Sequence, residues 1–370
     1  CYNAKNCNHA ISISPPYSII KELFMLQNQR YVYFAASVAA LGGLLFGYDT
    51  AVIAGAIGFL RDYFSLSAAQ TGWAVSNALL GCIAGVALAG LMSDRFGRKK
   101  VLIVSAILFT ISAIGSALPT TLTQFVIFRM LGGFGVGAAS MVSPLFIAEI
   151  SPAEMRGRLV SWNQFAIVAG MLVVYFVNYL IADFGVEAWN QTTGWRWMFA
   201  SEALPAIIFL SLLYFVPESP RWLIKQGRVS EGKKILSAIS GEKNAEFQLA
   251  EIQKTLQMES GKLGELFRPG MRKVLFVGIA LAVLQQVTGI NVIIYYAPEI
   301  FKNLGVSTNA ALFQTIVVGA VNLGFTVVAI RYVDRVGRKP LMLLGSTGMG
   351  LSLLLFGLTY YFQVSSGWVI

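Results

Sequence analysis

Two short charged stretches decide how this chain is organised: SDRFGRKK at residues 93–100 and VDRVGRKP at residues 333–340. Each packs several charges between two long apolar runs, and their aspartates, Asp94 and Asp334, stand 240 positions apart. Internal repeats at this scale are common in membrane proteins that contain two related halves. The pair therefore predicts two homologous halves, and it places both stretches on the same side of a membrane.

The composition supports a chain that crosses a membrane several times. Of the 370 residues, 56% are hydrophobic and only 12% are charged, whereas about a quarter of the residues in a soluble domain are charged. The net charge of +10 would suit nucleic acid, but the basic residues cluster in short loops between apolar runs. We therefore predict an all-α membrane protein that binds no nucleic acid.

The residue types that most often bind metals or act as nucleophiles show no such pattern. The three cysteines, at positions 1, 7 and 82, have neither metal-ligand spacing nor the arrangement of a disulfide framework. His9 is the only histidine, which argues against a histidine-based catalytic dyad. The sequence predicts no metal site, no catalytic residue and no enzyme.

Apolar runs of about 20 residues can cross the hydrocarbon core of a bilayer as helices. We predict nine such spans, at about residues 31–60, 68–92, 100–118, 124–148, 158–182, 196–216, 273–297, 308–333 and 340–362. The last residues, SSGWVI at 365–370, are compatible with the start of a tenth span.

The basic residues orient these spans, because cytoplasmic loops of membrane proteins are enriched in lysine and arginine. If the N-terminus is cytoplasmic, 24 of the 28 basic residues fall on the inside. Only Arg61, Arg196 and Lys302 fall outside, and Arg129 lies within a span. A cytoplasmic N-terminus is therefore the predicted orientation.

The chain divides into four predicted parts. These are an N-terminal extension and cytoplasmic lead-in at 1–30, a six-helix transmembrane bundle at 31–216, a cytoplasmic helical linker at 217–272 and a partial C-terminal bundle at 273–370. Residues 1–24 contain no apolar core of a secretory signal. Our hypothesis is that Met25 is the natural start of the chain.

The linker and the glycines of the spans both have simple structural explanations. In the linker, Leu249, Ile252 and Leu256 recur at helical spacing among alternating charges, which favours an amphipathic helix over a separate binding domain. In the spans, the pairs Gly43/Gly47 and Gly81/Gly85 have the GxxxG spacing that lets two membrane helices approach closely.

Two ionisable residues lie inside predicted spans, where such groups are costly and usually mark function. Asp49 lies in the first span and Arg129 in the fourth. We expect them to pair, either as a static lock between two helices or as a functional pair, and we favour the second. Movement of a cation towards or away from a buried carboxylate changes its affinity for a proton, which is what a proton-coupled carrier requires.

Neutral polar residues are concentrated in the seventh span. They are Gln285, Gln286, Asn291, Tyr295 and Tyr296, and Gln164 in the fifth span and Asn322 in the eighth add further amides. Such residues can form hydrogen bonds between helices. Their concentration without surplus charge favours a cavity for a hydroxyl-rich ligand, because amides both donate and accept hydrogen bonds.

The predicted cytoplasmic ends of the spans mix acidic with basic residues. These residues are Asp94, Arg95, Arg98, Glu149, Arg156 and Glu218. A solvated basic surface would explain the lysines alone. The interspersed acids favour salt bridges between helices that form in one conformation and break in another, as a two-state carrier requires.

The motifs of this chain resemble those of the sugar porter family of the major facilitator superfamily. The matching stretches are the two charged repeats, FGYDTAVIAG, RMLGGFGVGAASMVSPLFIAEISPAEMRGRLVSWNQ, PESPRWL and QQVTGINVIIYYAP, in the family's order. The resemblance covers residue 31 to the end, and it looks like that of the bacterial proton-coupled xylose transporters. It implies a fold of two pseudo-symmetric six-helix bundles that work by alternating access in the inner membrane.

The resemblance also implies roles for individual residues. Asp49 is implied as the proton site and Arg129 as its partner. The implied sugar site contains Phe46, Gln164, Gln285, Gln286, Asn291, Tyr295 and Asn322. The implied cytoplasmic gate contains Asp94, Arg95, Arg98, Glu149, Arg156, Glu218, Arg221, Asp334, Arg335 and Arg338.

The chain departs from the pattern of the family in two respects. Met171 stands where the related xylose symporters have a second glutamine, which weakens the assignment of xylose as the sugar. The repeat also makes the ninth span the counterpart of the third, so that three further helices are expected beyond the nine. The C-terminal bundle is therefore interpreted as truncated.

The predicted function is symport of a monosaccharide, such as xylose or a related pentose or hexose, with a proton. No cofactor is expected, the proton is the coupling ion, and the predicted partners are the sugar and the bilayer, with the protein as a monomer. The alternatives are a proton-independent uniporter, which could not accumulate sugar, and a sugar sensor on the same fold, which would bind without uptake. A membrane-embedded enzyme would need a catalytic cluster at membrane depth.

Overall fold

The computed structural model describes residues 16–258, 267 and 269–362, and this part of the chain is almost entirely helical. The helices are α1 (Pro16–Phe64), α2 (Ala68–Phe96), α3 (Arg98–Ala117), α4 (Leu122–Ile150), α5 (Ala153–Phe184), α6 (Glu187–Trp189), α7 (Trp195–Ala200), α8 (Ala203–Leu213), α9 (Pro220–Lys225), α10 (Val229–Ser240), α11 (Glu242–Met258), α12 (Pro269–Val287), α13 (Ile290–Asn303), α14 (Thr308–Val336) and α15 (Arg338–Tyr361). A π-helical turn at Asn190–Gly194 joins α6 to α7.

Nine helical segments of the described chain are long and apolar enough to cross a membrane. This confirms the prediction of an all-α membrane protein with nine spans. The proposed tenth span at 365–370 and the residues before Pro16 lie outside the described part. The boundaries predicted for the four parts of the chain stay a prediction.

Two predicted spans need correction. The sixth begins at Glu187 rather than near residue 196, because α6 and the π-helical turn continue the same helical path. The seventh is not one helix over 273–297. It extends to Asn303 and is interrupted between α12 and α13 by Gly289, whose φ of 76° is left-handed. Only glycine adopts this conformation without steric cost, so the chain breaks there.

The charged repeats are helix junctions with the same backbone geometry. α2 gives way to α3 at Gly97, with φ of 99°, and α14 gives way to α15 at Gly337, with φ of 92°. At each junction the glycine N–H bonds to the carbonyl four residues earlier, that of Ser93 or Val333. The repeat seen in the sequence is therefore also a repeat in backbone structure.

Alanine substitutions at these two glycines should have unequal effects. Both backbones have a positive φ, so either alanine is strained. Only at Gly97 would the added Cβ also collide with the carboxylate of Glu218, whereas at Gly337 the nearest atom is Pro340 Cδ at 3.8 Å. We expect Gly97→Ala to lower the apparent Tm in detergent by several degrees more than Gly337→Ala. Equal losses for the two variants would argue against this account of Glu218.

The predicted GxxxG approaches are present between neighbouring helices. The missing side chain of Gly81 lets α2 lie directly against the Met130 carbonyl of α4, and Gly85 does the same at Phe134. On α1, Gly47 lies against the Ile167 carbonyl of α5. These contacts hold α2 against α4 and α1 against α5.

The helices between the two halves pack against one another through the apolar residues of α11. Ile224 of α9, Leu236 of α10 and Ala245 of α11 form a small buried cluster, and Leu249, Ile252 and Leu256 pack against it. The amphipathic face of α11 therefore covers the other two linker helices.

The two halves, α1–α8 and α12–α15, touch mainly at one end of the molecule. We call the end with the Gly97 and Gly337 junctions the basic end and the opposite end the far end. Side-chain contacts between the halves cluster towards the far end. They are Arg61 with Glu299, Tyr175 with the Ile294 carbonyl, Asp183 with Asn309, and Tyr179 with Phe313. The structure is thus closed at the far end.

Candidate functional site

The centre of the first half contains a buried ion pair. Arg129 Nη1 lies 2.5 Å from Asp49 Oδ1, and Nη2 donates to the Asp49 carbonyl at 3.0 Å. Asp49 is 1% exposed and Arg129 is 2% exposed. The guanidinium also lies 5.5 Å from the centre of the Phe199 ring, an arrangement that stabilises a cation. Asp49 and Arg129 thus meet as their positions in apolar spans led us to expect.

A third charged group lies beside this pair. Glu202, between α7 and α8, is 1% exposed, and neither of its carboxylate oxygens has a hydrogen-bond partner fixed by the described structure. Its charge acts on those of Asp49 and Arg129. A buried carboxyl group without a hydrogen-bond partner, close to a second buried carboxylate, is a candidate for binding a proton.

Glu202 was not predicted as a site residue, although its sequence position carries a signal. It is an acid inside the predicted sixth span, and the rule that selected Asp49 and Arg129 applies to it equally. Its neighbour Ser201 accepts or donates a hydrogen bond of 2.8 Å with the Tyr48 hydroxyl. This bond ties the chain next to Glu202 to the residue next to Asp49.

Another polar group near the pair is the hydroxyl of Ser112 on α3. A Cβ added at Gly132 would collide with this hydroxyl and would stand 3.4 Å from Asp49 Oδ1. The Ser112 hydroxyl is buried and lacks a partner among the described residues. The absence of a side chain at Gly132 thus leaves room for the Ser112 hydroxyl against α4.

Tyr295 of α13 connects this cluster with the second half. It is 8% exposed and belongs to the buried apolar cluster that also contains Tyr48, next to Asp49, and Phe199, whose ring lies under Arg129. The tyrosine predicted for the sugar site therefore lies in the packed region around the ion pair. A ligand that contacts Tyr295 is placed to influence the charges of Asp49 and Arg129.

The predicted amides lie around the break between α12 and α13 and on the facing helices. Asn291 Nδ2 donates to Gln286 Oε1 at 2.8 Å. Gln164, Gln285 and Asn322 are exposed, while Phe46 and Tyr296 are half-buried. Helix breaks in carriers expose backbone groups to a ligand. Met171, which replaces the second glutamine of the related xylose symporters, packs against the apolar cluster that includes Tyr295.

A second charged cluster occupies the basic end. Arg98 binds both carboxylate oxygens of Glu149, with Nε and Nη2 each at 2.9 Å, and both side chains are 6% exposed. Arg98 Nη1 donates to the Ser93 carbonyl at 3.0 Å and to Asp94 Oδ1 at 3.1 Å. This bidentate pair fixes the start of α3 against the end of α4.

Glu218 closes the same cluster from the start of the linker. One oxygen, Oε1, accepts bonds from the backbone N–H groups of Arg98, Lys99 and Ser219 at 3.0, 3.1 and 2.8 Å. Burial raises the pKa of this carboxyl group above its ordinary value, although the three donors and Arg98 act in the opposite direction. Its contribution to stability is therefore full below the pKa of the unfolded chain and is lost as the pH rises through the raised pKa.

The linker helix α9 adds two residues that the sequence did not single out. Lys225 Nζ lies 3.0 Å from Asp94 Oδ2, and the Trp222 indole donates to the Asp94 carbonyl at 2.9 Å. A cavity of about 400 Å³ opens beside them. Arg156 and Arg221, both predicted for the gate, line this cavity with Arg98 and Glu149.

The remaining predicted gate residues are Arg95, Asp334, Arg335 and Arg338. Arg95 lies over the Phe96 ring at 5.3 Å, and Arg335 and Arg338 are exposed. The Asp334 side chain lies outside the described part. The charged contacts described at the basic end thus join helices of the first half and the linker, rather than the two halves.

The fold and these two polar clusters define the class of the protein. It is a membrane protein of the major facilitator fold, with two halves that meet around a central polar region. A family model described as "Sugar (and other) transporter" matches residues 35–369. The chain therefore belongs to this family of sugar transporters.

Individual relatives agree with the family. The chain is 48% identical over 362 residues to the D-xylose-proton symporter of Escherichia coli K12. The alignment covers 91% of this chain and 74% of the relative. It is 46% identical over 338 residues to the arabinose-proton symporter of Bacillus subtilis, covering 91% of this chain and 73% of the relative. Its structure is similar to the xylose transporter XylE of E. coli in a partially occluded inward-open conformation, with a TM-score of 0.83, 44% identity, and coverage of 92% of this chain and 81% of that one.

Proposed function

We propose that this protein is a monosaccharide–proton symporter that works by alternating access and that takes xylose or a related pentose or hexose. The observation that carries the proposal is the buried cluster of Asp49, Arg129 and Glu202 beside Tyr295. The names of the relatives, a xylose–proton and an arabinose–proton symporter, support the same substrates. The protein acts as a carrier without covalent chemistry, and the proton is its only coupling partner.

In the proposed cycle, the proton competes with Arg129 for Asp49. When Asp49 is ionised it holds Arg129, as in this structure. Protonation of Asp49 weakens that hold, and it favours the state that is open to the outside and loads sugar. Glu202 offers the proton a second carboxyl group within reach, so the proton can move off Asp49 when Arg129 returns. No step needs a cofactor.

The proposed sugar site lies between the halves. Gln285, Gln286, Asn291 and Asn322 supply amide donors and acceptors from the second half, and Gln164 and Phe46 face them from the first. Their exposure supports access to a hydroxyl-rich ligand. Tyr295 belongs to both the sugar site and the surroundings of the ion pair, so it is the proposed link between sugar binding and proton binding.

The proposed orientation makes the basic end cytoplasmic, in agreement with the excess of lysine and arginine there. The far end is then extracellular, and the structure is an inward-facing state of a monomer in the inner membrane. The cluster of Arg98, Glu149, Asp94 and Glu218, with Arg156 and Arg221 beside it, is the first-half side of the proposed gate. Arg95, Asp334, Arg335 and Arg338 complete the proposed set.

Uptake into proteoliposomes tests the proposal. With an imposed inward proton gradient, labelled xylose or arabinose should rise inside above its external concentration, and a protonophore should abolish the rise. One proton per sugar allows up to about tenfold accumulation for each pH unit. Equilibration without accumulation would instead identify a uniporter, and binding without uptake would identify a sensor.

Substitution of Glu202 by glutamine should change the pH dependence of uptake. The amide keeps the size of the side chain but can no longer exchange a proton with Asp49. We expect proton-driven uptake to fall about tenfold or more, while sugar exchange at equal pH continues. Rates should be measured as a function of pH for Glu202→Gln and for Glu187→Gln, a control at the start of the same span. Identical pH profiles for wild type and Glu202→Gln would remove Glu202 from the proton path.

A further inference from the structure

An ion pair joins the two halves at the far end. Arg61 Nη1, near the end of α1, lies 2.8 Å from Glu299 Oε2 on α13. Lys302, one turn further along α13, places Nζ 3.4 Å from the other oxygen, Glu299 Oε1. The carboxylate therefore holds one cation from each half, and only the bond to Arg61 crosses between them.

The surroundings show that this contact is fitted into the interface. The Glu299 side chain is 15% exposed, although that of Arg61 is 42% exposed. A Cβ added at Gly58 of α1 would stand 2.6 Å from Glu299 Oε1. The absence of a side chain at Gly58 therefore lets the carboxylate lie against the backbone of α1.

Other charged groups near the pair are arranged so that they do not replace it. Asp62 Oδ1 lies 3.4 Å from Arg61 Nε, but both residues belong to α1. The nearby polar contact between the halves, Asp183 with Asn309, involves a neutral amide at 3.2 Å. In the described part of the chain, Arg61 with Glu299 is thus the ion pair that spans the halves at this end.

We propose that Arg61 and Glu299 form an ionic latch that closes the outer end of the carrier and sets how often it opens to the outside. This inference rests on alternating access in the proposed function, and it goes beyond it by assigning a regulatory contact. α1 and α13 belong to different halves, so the pair must break when the far end opens. A contact made in only one of two states shifts the equilibrium towards that state by its own free energy.

Distance measurements between the halves test the latch without any need for transport. The three native cysteines are replaced by serine, and spin labels are placed at Ala69→Cys of α2 and Ala310→Cys of α14, both exposed near the far end. Arg61→Gln and Glu299→Gln should each raise the ratio of long to short distances about two- to fivefold, the range for a partly exposed ion pair. High salt should also raise the ratio of long to short distances in the labelled protein that keeps Arg61 and Glu299, because salt screens their attraction.

A double variant and a control decide the result. Arg61→Gln combined with Glu299→Gln should shift the ratio no further than either single change, because both remove the same interaction. Asp62→Asn removes an ion pair within α1 and should leave the ratio unchanged. Unchanged distances in the single variants, or additive shifts in the double variant, would overturn the latch. A protein that shows these shifts but no proton-driven uptake would keep the latch and lose the symport proposal.

Discussion

Substitution of Asp49 by asparagine should abolish sugar accumulation and leave exchange intact. Asparagine keeps an oxygen that can accept the Arg129 bond of 2.5 Å, but it cannot carry a proton in and release it. Under an inward gradient of one pH unit, the wild type can reach about a tenfold internal excess if one proton moves with each sugar. The variant should stop at equal concentrations. Time courses of labelled sugar in proteoliposomes measure the difference.

Sugar exchange without a gradient is the internal control for this variant. Exchange needs binding and the change of access but no net proton movement, so Asp49→Asn should retain it. Asp62→Asn, on the same helix but exposed, should accumulate sugar as the wild type does. Gradient-driven accumulation by Asp49→Asn would show that the proton binds elsewhere.

The second large effect is expected on stability, at the basic end. The Glu149 side chain is only 6% exposed. Arg98→Ala removes its bidentate partner and leaves this buried carboxylate unpaired. Removal of one member of a buried ion pair costs about 3–5 kcal/mol, so the apparent Tm in detergent should fall by about 5–15 °C. Unfolding followed by tryptophan fluorescence or by circular dichroism measures the shift.

The repeat provides a matched control for this substitution. Arg338 occupies the equivalent place after Gly337, but its side chain is exposed, so Arg338→Ala should change the Tm little. Arg98→Met combined with Glu149→Leu should recover most of the loss, because it removes both charges and keeps the apolar volume. If Arg98→Ala unfolds no earlier than Arg338→Ala, the pair does not stabilise the first half.

Hydropathy predicted the nine membrane spans, with errors at the sixth and seventh, and the charged repeat predicted two related halves, whereas the fold itself was implied by the resemblance to the sugar porter family. Apolar runs of this length have few alternatives to membrane helices, because backbone polar groups must be satisfied within the hydrocarbon core. The meeting of Asp49 and Arg129 followed from the cost of leaving either charge unpaired there. These inferences depend only on where apolar and charged residues occur along the chain, and this can be read directly from the sequence.

Other features depend on packing that a single sequence does not display. Gly289 could have been one more small residue in a continuous helix, and only its left-handed backbone shows that α12 and α13 are separate. The role of Lys225 and Trp222 follows from the way α9 folds back on Asp94. The repeats look equivalent in sequence, yet in the described part of the chain Arg98 is buried between Glu149 and Glu218 while Arg338 is exposed.

The central claim is that sugar and proton move together through the site at Asp49, and sugar-dependent proton flux tests it most directly. Xylose or arabinose is added to de-energised proteoliposomes in weak buffer while the external pH is recorded. The account predicts an immediate rise in external pH that depends on the sugar, disappears with a protonophore and is missing in Asp49→Asn. Entry of sugar into the wild-type vesicles without any change in external pH would contradict it.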